Sequence, residues 1–210
     1  MRRVLGIDEA GRGCVFGDLV VAGYFVEQLD DVALRAAGAD DSKRIPAERR
    51  CQVRDALQGL GRGVVRRITP PRIDAGNLNR LEEEAIVELL VELRPDHVVI
   101  DALGHPSTLR ATADRLLAAL PDDHRPTLTI EPKADRTYAV VGAASVFAKT
   151  LRDELLAELS THHGELGSGY PGDPKTKAWL QTWSRTRRPW PDFVRTKWAT
   201  VTDLQQTSLF

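Results

Sequence analysis

The chain has 210 residues, 42% hydrophobic and 28% charged, with a formal net charge of −1 at neutral pH; this is the balance of one ordinary globular domain, long enough to bury a proper core. No run approaches the roughly 20 apolar residues a membrane span requires, and residues 1–9 enter a strand without a signal-peptide pattern, so the cytoplasm is the expected location. Two cysteines, Cys14 and Cys51, are too few for a disulfide framework or a zinc cluster, and both are expected to be free thiols.

In chain order, residues 3–8 read as a buried strand that ends in the paired carboxylates Asp8 and Glu9, and a Gly11-Arg12-Gly13 turn leads into a second strand over 18–26. Adjacent strand residues point to opposite faces, so one carboxylate faces a given side directly, although a divalent ion at the strand edge can draw both. Oxygen ligands of this kind suit Mg²⁺ or Mn²⁺. The glycines permit positive φ and close backbone approach, and with Arg12 between them they can hold a phosphate. A salt-bridged turn after a strand is the alternative. Pro46 opens a helix through Leu57, and residues 62–69 form a third strand. The stripe Leu81, Ala85, Ile86, Leu89 and Leu90 predicts a helix over 79–93. The short strand 97–100 delivers Asp101 at its end. A helix over 107–120, a strand over 127–130 and a helix over 140–159 follow, and this alternation favours an α/β layer fold.

On the 140–159 helix, Ser145, Lys149 and Arg152 share a face that can meet a phosphate backbone. Asp173-Pro174 is an N-cap and first-turn pair for another helix. Charge is uneven: from Pro174 to Trp198 the chain carries Lys175, Lys177, Arg185, Arg187, Arg188, Arg195 and Lys197 against the acid Asp192, and all four tryptophans fall there. Most of these tryptophans are expected in the core, with the cations facing phosphate or water. Asp101 and Asp135, the latter just before a helix, can converge with Asp8 and Glu9 at the carboxyl ends of strands in an open α/β sheet. Each acid alone is equally a cap or a surface group.

Six blocks in order resemble ribonuclease HII, the type 2 ribonuclease H family: Gly6 to Gly13, Asp41-Ser42-Lys43, Asn77-Leu78-Asn79, Val99-Ile100-Asp101, Lys133-Ala134-Asp135 with Ala143 to Lys149, and Gly167 to Thr176. The Lys-Ala-Asp and Gly-Ser-Gly-Tyr-Pro wording is closer to the archaeal and eukaryotic branch. The resemblance covers Leu5 to about Trp198. It implies an RNase H-like fold, a mixed central sheet flanked by helices with a C-terminal helical extension. Within a single catalytic domain, a core over about 1–165, a helical substrate-binding part over about 166–204 and a tail over 205–210 are expected. It implies cleavage of the RNA strand of RNA–DNA hybrids, incision 5′ to ribonucleotides embedded in duplex DNA, and 3′-hydroxyl and 5′-phosphate products. Carried over residue by residue, Asp8, Glu9, Asp101 and Asp135 bind two Mg²⁺ or Mn²⁺ ions in a two-metal mechanism. Gly11, Arg12 and Gly13 read the 2′-hydroxyl, Tyr170 stacks on the following deoxyribose, and Lys43, Ser145 and Lys149 contact phosphates.

Cys14 and Asp18 stand where prolines are usual in the family, which loosens the turn in the unfolded chain and places a thiol beside the expected metal site. Gln206 to Phe210 resembles the start of a sliding-clamp-binding peptide but stops before the second aromatic, which favours a frayed tail. The protein is expected to be a monomer. The motif beginning at residue 6 leaves little room for the leading domain of ribonuclease HIII. A junction resolvase of the same fold and a hybrid-binding module without catalysis remain the alternatives; the Gly-Arg-Gly turn with Tyr170 argues against the first, and the four acids against the second.

Overall fold

The computed structural model describes residues 2–39, 45–102 and 106–207. Strand β1 (Val4–Ala10) pairs antiparallel with β2 (Leu19–Val26), and β2 with β3 (Arg62–Ile68). On the other side of β1, β4 (His97–Asp101) runs parallel to it and β5 (Thr127–Glu131) parallel to β4, giving the order β3-β2-β1-β4-β5. Because β1 has a neighbour on each side and helices on both faces, its near-continuous apolar sequence is what burial requires.

The sheet alternation sorts side chains into two cores. Val4 and Ala10 of β1, Ala22 and Tyr24 of β2 and Val99 of β4 face one side with Val140, Ala144 and Phe147 of the long helix Ala139–His163. Leu5 and Ile7, Leu19 and Val21, and Val98 and Ile100 face the other side with Leu81, Ile86, Leu89 and Leu90 of the helix Leu78–Leu93. In chain order the helices are α1 (Asp31–Ala36), α2 (Ala47–Gln58), α3 (Pro70–Ala75), α4 (Leu78–Leu93), α5 (Leu109–Ala118), α6 (Ala134–Thr137), α7 (Ala139–His163), α8 (Pro174–Arg185) and α9 (Ala199–Thr207). The expected helix over 107–120 is divided, with a 3₁₀ turn at Pro106–Thr108 ahead of α5. Helices α1, α3 and α6 carry no long apolar stripe and have no counterpart among the sequence expectations, whereas α8 and α9 fall in the region expected to be helical. Among the described residues, no helix is long and apolar enough to cross a membrane.

Gly6 brings α7 onto β1. A Cβ there would lie 2.3 Å from both the carbonyl carbon and oxygen of Val140, which are backbone atoms that cannot swing aside. Gly6→Ala is therefore expected to cost about 3 kcal/mol through overpacking, measured by urea unfolding; a change below about 0.5 kcal/mol, the scale of an ordinary surface substitution, would contradict this close contact.

A third apolar cluster joins Val15, Phe16 and Leu156 to Leu166, Leu180, Phe193, Val194 and Val201. Trp179, Trp190 and Trp198 lie half-buried against it, and Trp183 stacks on Trp179 with ring centroids 5.1 Å apart. Residues from before and after position 165 thus share one core. Phe16 and Val194 form an antiparallel bridge, flanked by Arg195 N donating to Val15 O (2.9 Å) and Gly17 N donating to Phe193 O (2.8 Å). The C-terminal segment is stitched directly to the chain that follows the Gly-Arg-Gly turn.

Candidate active site

The register of parallel strands explains why the acids meet. Gly6 stands opposite Val99 and Ile7 opposite Ile100, so Asp8 and Asp101 follow as neighbours, both on the α7 face. Asp135 enters from α6, after Lys133 has turned the chain at φ 62°. One carboxylate oxygen from each of Asp8, Asp101 and Asp135 lies within 4.8 Å of the others. Asp8 and Asp135 are buried, and such a set of hard oxygen donors fits a divalent cation. Glu9, on the opposite pleat, lies outside this trio but lines the same cleft, about 530 Å³, together with Gly11, Arg12, Gly13, Lys149, Arg152 and Tyr170. A more apolar cavity of about 630 Å³ lies between Pro70, Leu159 and Phe193. The converging carboxylates are in the first cleft, so the chemistry is placed there.

Burial, ahead of repulsion from Asp101, raises the Asp8 carboxyl to about 6, against the hydrogen bond from Ser145 and the Lys149 charge that lower it. Burial also raises Glu9, to about 8, with Asp8 adding to it and Arg12 opposing it. Asp8 Oδ1 accepts from Glu9 N at 2.8 Å. Asp101 Oδ1 accepts from Ala102 N (3.1 Å) and Ala134 N (3.0 Å), which fixes its rotamer against the start of α6.

The Gly-Arg-Gly turn closes with Cys14 N donating to Gly11 O (3.2 Å), and Gly11 has φ +88°, a conformation that favours glycine. Gly13 faces the Tyr170 ring: a Cβ on it would sit 3.7 Å from Tyr170 Cε1. The Tyr170 loop is tied on three sides. Gly169 O accepts from Val15 N (2.7 Å), Gly169 N donates to Thr176 Oγ1 (2.9 Å), and Asp173 accepts from Ser168 N (2.7 Å). Tyr170 nevertheless keeps 46% of its surface exposed, at the rim of the cleft.

Several side chains depart from expectation. Ser145 is fully buried; it bonds Asp8 and receives Lys149 Nζ at 3.2 Å, so its contact is internal instead of with a phosphate. Arg152 turns inward, donating to Ser168 O and, at 3.1 Å, to Cys14 Sγ, with its guanidinium 5.5 Å from the Tyr170 ring centroid. Cys14 is itself buried, so the proline's place is filled by a thiol packed under the turn. Asp18 pairs with Arg67 at 2.6 Å. Arg195, expected to face phosphate or water, is fully buried. Its Nη1 donates to Arg12 O (2.9 Å), and its Nε and Nη2 to Gly17 O (3.1 and 2.9 Å). Lys43 lies outside the described residues, as do Ser208, Leu209 and Phe210.

The family model for ribonuclease HII matches residues 5–201. The chain belongs to the ribonuclease HII family. The ribonuclease HII of Aeropyrum pernix is 37% identical over 207 residues, 96% of this chain and 89% of that one. The ribonuclease H2 crystal structure from Pyrococcus horikoshii superposes with a TM-score of 0.89 at 34% identity, covering 99% of each chain. A ribonuclease HII from Archaeoglobus fulgidus, solved as a complex with PCNA, gives a TM-score of 0.85 at 33% identity over 97% of each chain. The protein is accordingly a nuclease of the family that cleaves the RNA of RNA–DNA hybrids, a divalent-metal-dependent activity for which the acidic trio is suited.

Other residues of this ribonuclease HII escape a motif-based reading. Arg50 pairs with Asp153 across the cleft wall. Arg12 turns its guanidinium to α4, where it pairs with Glu82 and donates to Asn79 Oδ1. Glu82 had a signal: it sits i+4 and i+7 from Ile86 and Leu89 on an apolar stripe, where an acid needs a partner.

Proposed function

We propose that this ribonuclease HII incises on the 5′ side of a ribonucleotide, including a single one embedded in duplex DNA, and leaves 3′-hydroxyl and 5′-phosphate ends. Asp8, Glu9, Asp101 and Asp135 would hold two Mg²⁺ or Mn²⁺ ions, which when bound supply an activated water and stabilise the leaving oxygen. The observation that carries this reading is the packing of the Tyr170 ring on Gly13 at the rim of the cleft holding the three clustered acids. A backbone turn free of side chains approaches a 2′-hydroxyl closely, and an exposed ring beside it offers a flat surface to the next sugar.

The remaining groups of the cleft position and screen. Ser145 and the Glu9 amide orient Asp8. Lys149 brings positive charge to the acids and is suited to a backbone phosphate, and Lys43 is assigned a phosphate contact from its motif alone. Arg152 holds the Tyr170 loop against Cys14. The chain acts as a monomer in this reading, in removal of ribonucleotides from DNA. The relative solved with PCNA supports a sliding clamp as a partner, reached through Gln206 to Phe210, the segment that resembles the start of a clamp-binding peptide.

The test is cleavage of an end-labelled DNA duplex containing one ribonucleotide, with Mg²⁺, with Mn²⁺ and with chelator. A metal-dependent cut immediately 5′ to the ribonucleotide is expected. Cleavage of long hybrids only would remove the junction-reading role. Tyr170→Ala is expected to lower the single-turnover rate about tenfold or more while the duplex Kd changes less than about threefold, since the ring acts on alignment more than on affinity; equal losses in rate and affinity would count against it.

A further inference from the structure

We propose that Glu82, assisted by Asn79, is a positioning residue that holds the Gly11-Arg12-Gly13 turn through the Arg12 guanidinium, so that Arg12 works as an internal strut and its backbone, not its side chain, meets the substrate. This rests on the reading of that turn as the 2′-hydroxyl contact. Glu82 is fully buried, whereas Arg12 retains about a third of its side-chain surface. A fully buried carboxylate stays ionised at little cost only against a cation, and Arg12 is the cation in contact with it. Asn79, exposed on the first turn of α4, takes a second guanidinium proton. The planar fork of arginine is thereby fixed at two points, which sets its direction as well as its distance.

The opposite side of the same residue is held too, by Arg195 Nη1 on the Arg12 carbonyl. The turn is thus gripped by its side chain from α4 and by its peptide from the C-terminal segment, two elements far apart in sequence. A glycine-flanked turn has no Cβ packing of its own at Gly11 or Gly13 to hold it in place, so its position relative to Asp8 and Tyr170 depends on these external holds.

Steady-state cleavage of the single-ribonucleotide duplex by the full chain tests this, using Glu82→Gln, Arg12→Met, the double variant and Asn79→Ala. The strut predicts that Glu82→Gln and Arg12→Met each lower kcat roughly 10- to 100-fold, as a turn displaced by about an ångström would. KM and its salt dependence stay unchanged, and the double variant is no worse than the poorer single one. A side chain that instead grips phosphate predicts the opposite signs: Arg12→Met raises KM and flattens the salt dependence by about one ion, while Glu82→Gln frees the arginine and lowers KM. That result, or wild-type kcat in Glu82→Gln, overturns the proposal. Should removal of the buried partner unfold the protein, exposed Asn79→Ala carries the test: a reduced kcat at constant KM supports the strut and an unchanged kcat refutes it. Failure of the unmodified protein to cut the single-ribonucleotide duplex overturns the underlying reading of the turn instead, before any variant is compared.

Discussion

Asp8→Asn is expected to reduce cleavage by about 10³-fold or more and, in the presence of chelator, to make the protein more stable. Both effects follow from one arrangement. Asp8 is buried in the central strand, ahead of Glu9 and Ala10, with Asp101 beside it, and its folded-state pKa is raised to about 6, with Glu9 raised to about 8, mainly by burial. A carboxyl raised in the folded state holds its proton where the unfolded chain has released it. This contribution is complete below about pH 4 and is lost as the pH rises through about 6 to 8. Without metal, stability should therefore fall between pH 5 and pH 8, and a divalent ion, which binds the ionised acids, should restore it. Asn at position 8 removes the charge that must be desolvated, and a rise in Tm of a few degrees at pH 8 in EDTA is expected. Added Mg²⁺ should raise Tm less in the variant than in the parent. Thermal melts at pH 5 and pH 8, each with EDTA and with Mg²⁺, measure all of this; a variant less stable than its parent in EDTA at pH 8 would mean that Asp8 is a structural acid.

Arg195→Leu is expected to lose about 3–5 kcal/mol of folding stability. The guanidinium is fully buried and makes three hydrogen bonds to the carbonyls of Arg12 and Gly17, while its Cζ lies 5.2 Å from the Trp198 ring centroid. Burial lowers its pKa to about 10, which leaves it charged at neutral pH. Leucine would leave the carbonyl groups of Arg12 and Gly17 buried without these donors, and buried unpaired acceptors are costly. Lysine keeps the charge but cannot span both carbonyls in the geometry of a planar fork, so Arg195→Lys should recover only part of the loss. Urea unfolding of the three proteins checks the order parent, lysine, leucine. Equal stability of all three would show that the buried fork is dispensable.

Much of the metal site was legible in the sequence because its signals are local. Asp101 ends an apolar strand, Asp8 follows the apolar run Val4 to Ile7 in a strand that continues past the expected end to Ala10, and Asp135 follows a turn, so hydrophobic period and breaker residues mark all three. The positions of the five strands along the chain and the long helices, 78–93 and, read as 140–159, 139–163, follow from the same patterns, whereas the order of the strands in the sheet does not. Short helices such as Asp31–Ala36 and Ala134–Thr137 were not legible, since four to six residues carry no period to read.

By itself the sequence determined the family, the alternating α/β order and the acids that follow apolar strand residues, each from signals carried by neighbours within a few residues of one another; the glycine turn and the tyrosine loop were joined only through the family resemblance. Only the tertiary structure decided which way the charged side chains point. Ser145 lies under Asp8, Arg152 under Tyr170, Arg195 beneath the turn and Arg12 against Glu82, where helical spacing, the glycine turn and local charge had pointed them toward phosphate or water. The reason is physical: an arginine or serine reads the same in a sequence whether it faces water or a buried carbonyl, and which of these it meets is set by strand register and by segments 18 to 183 residues away.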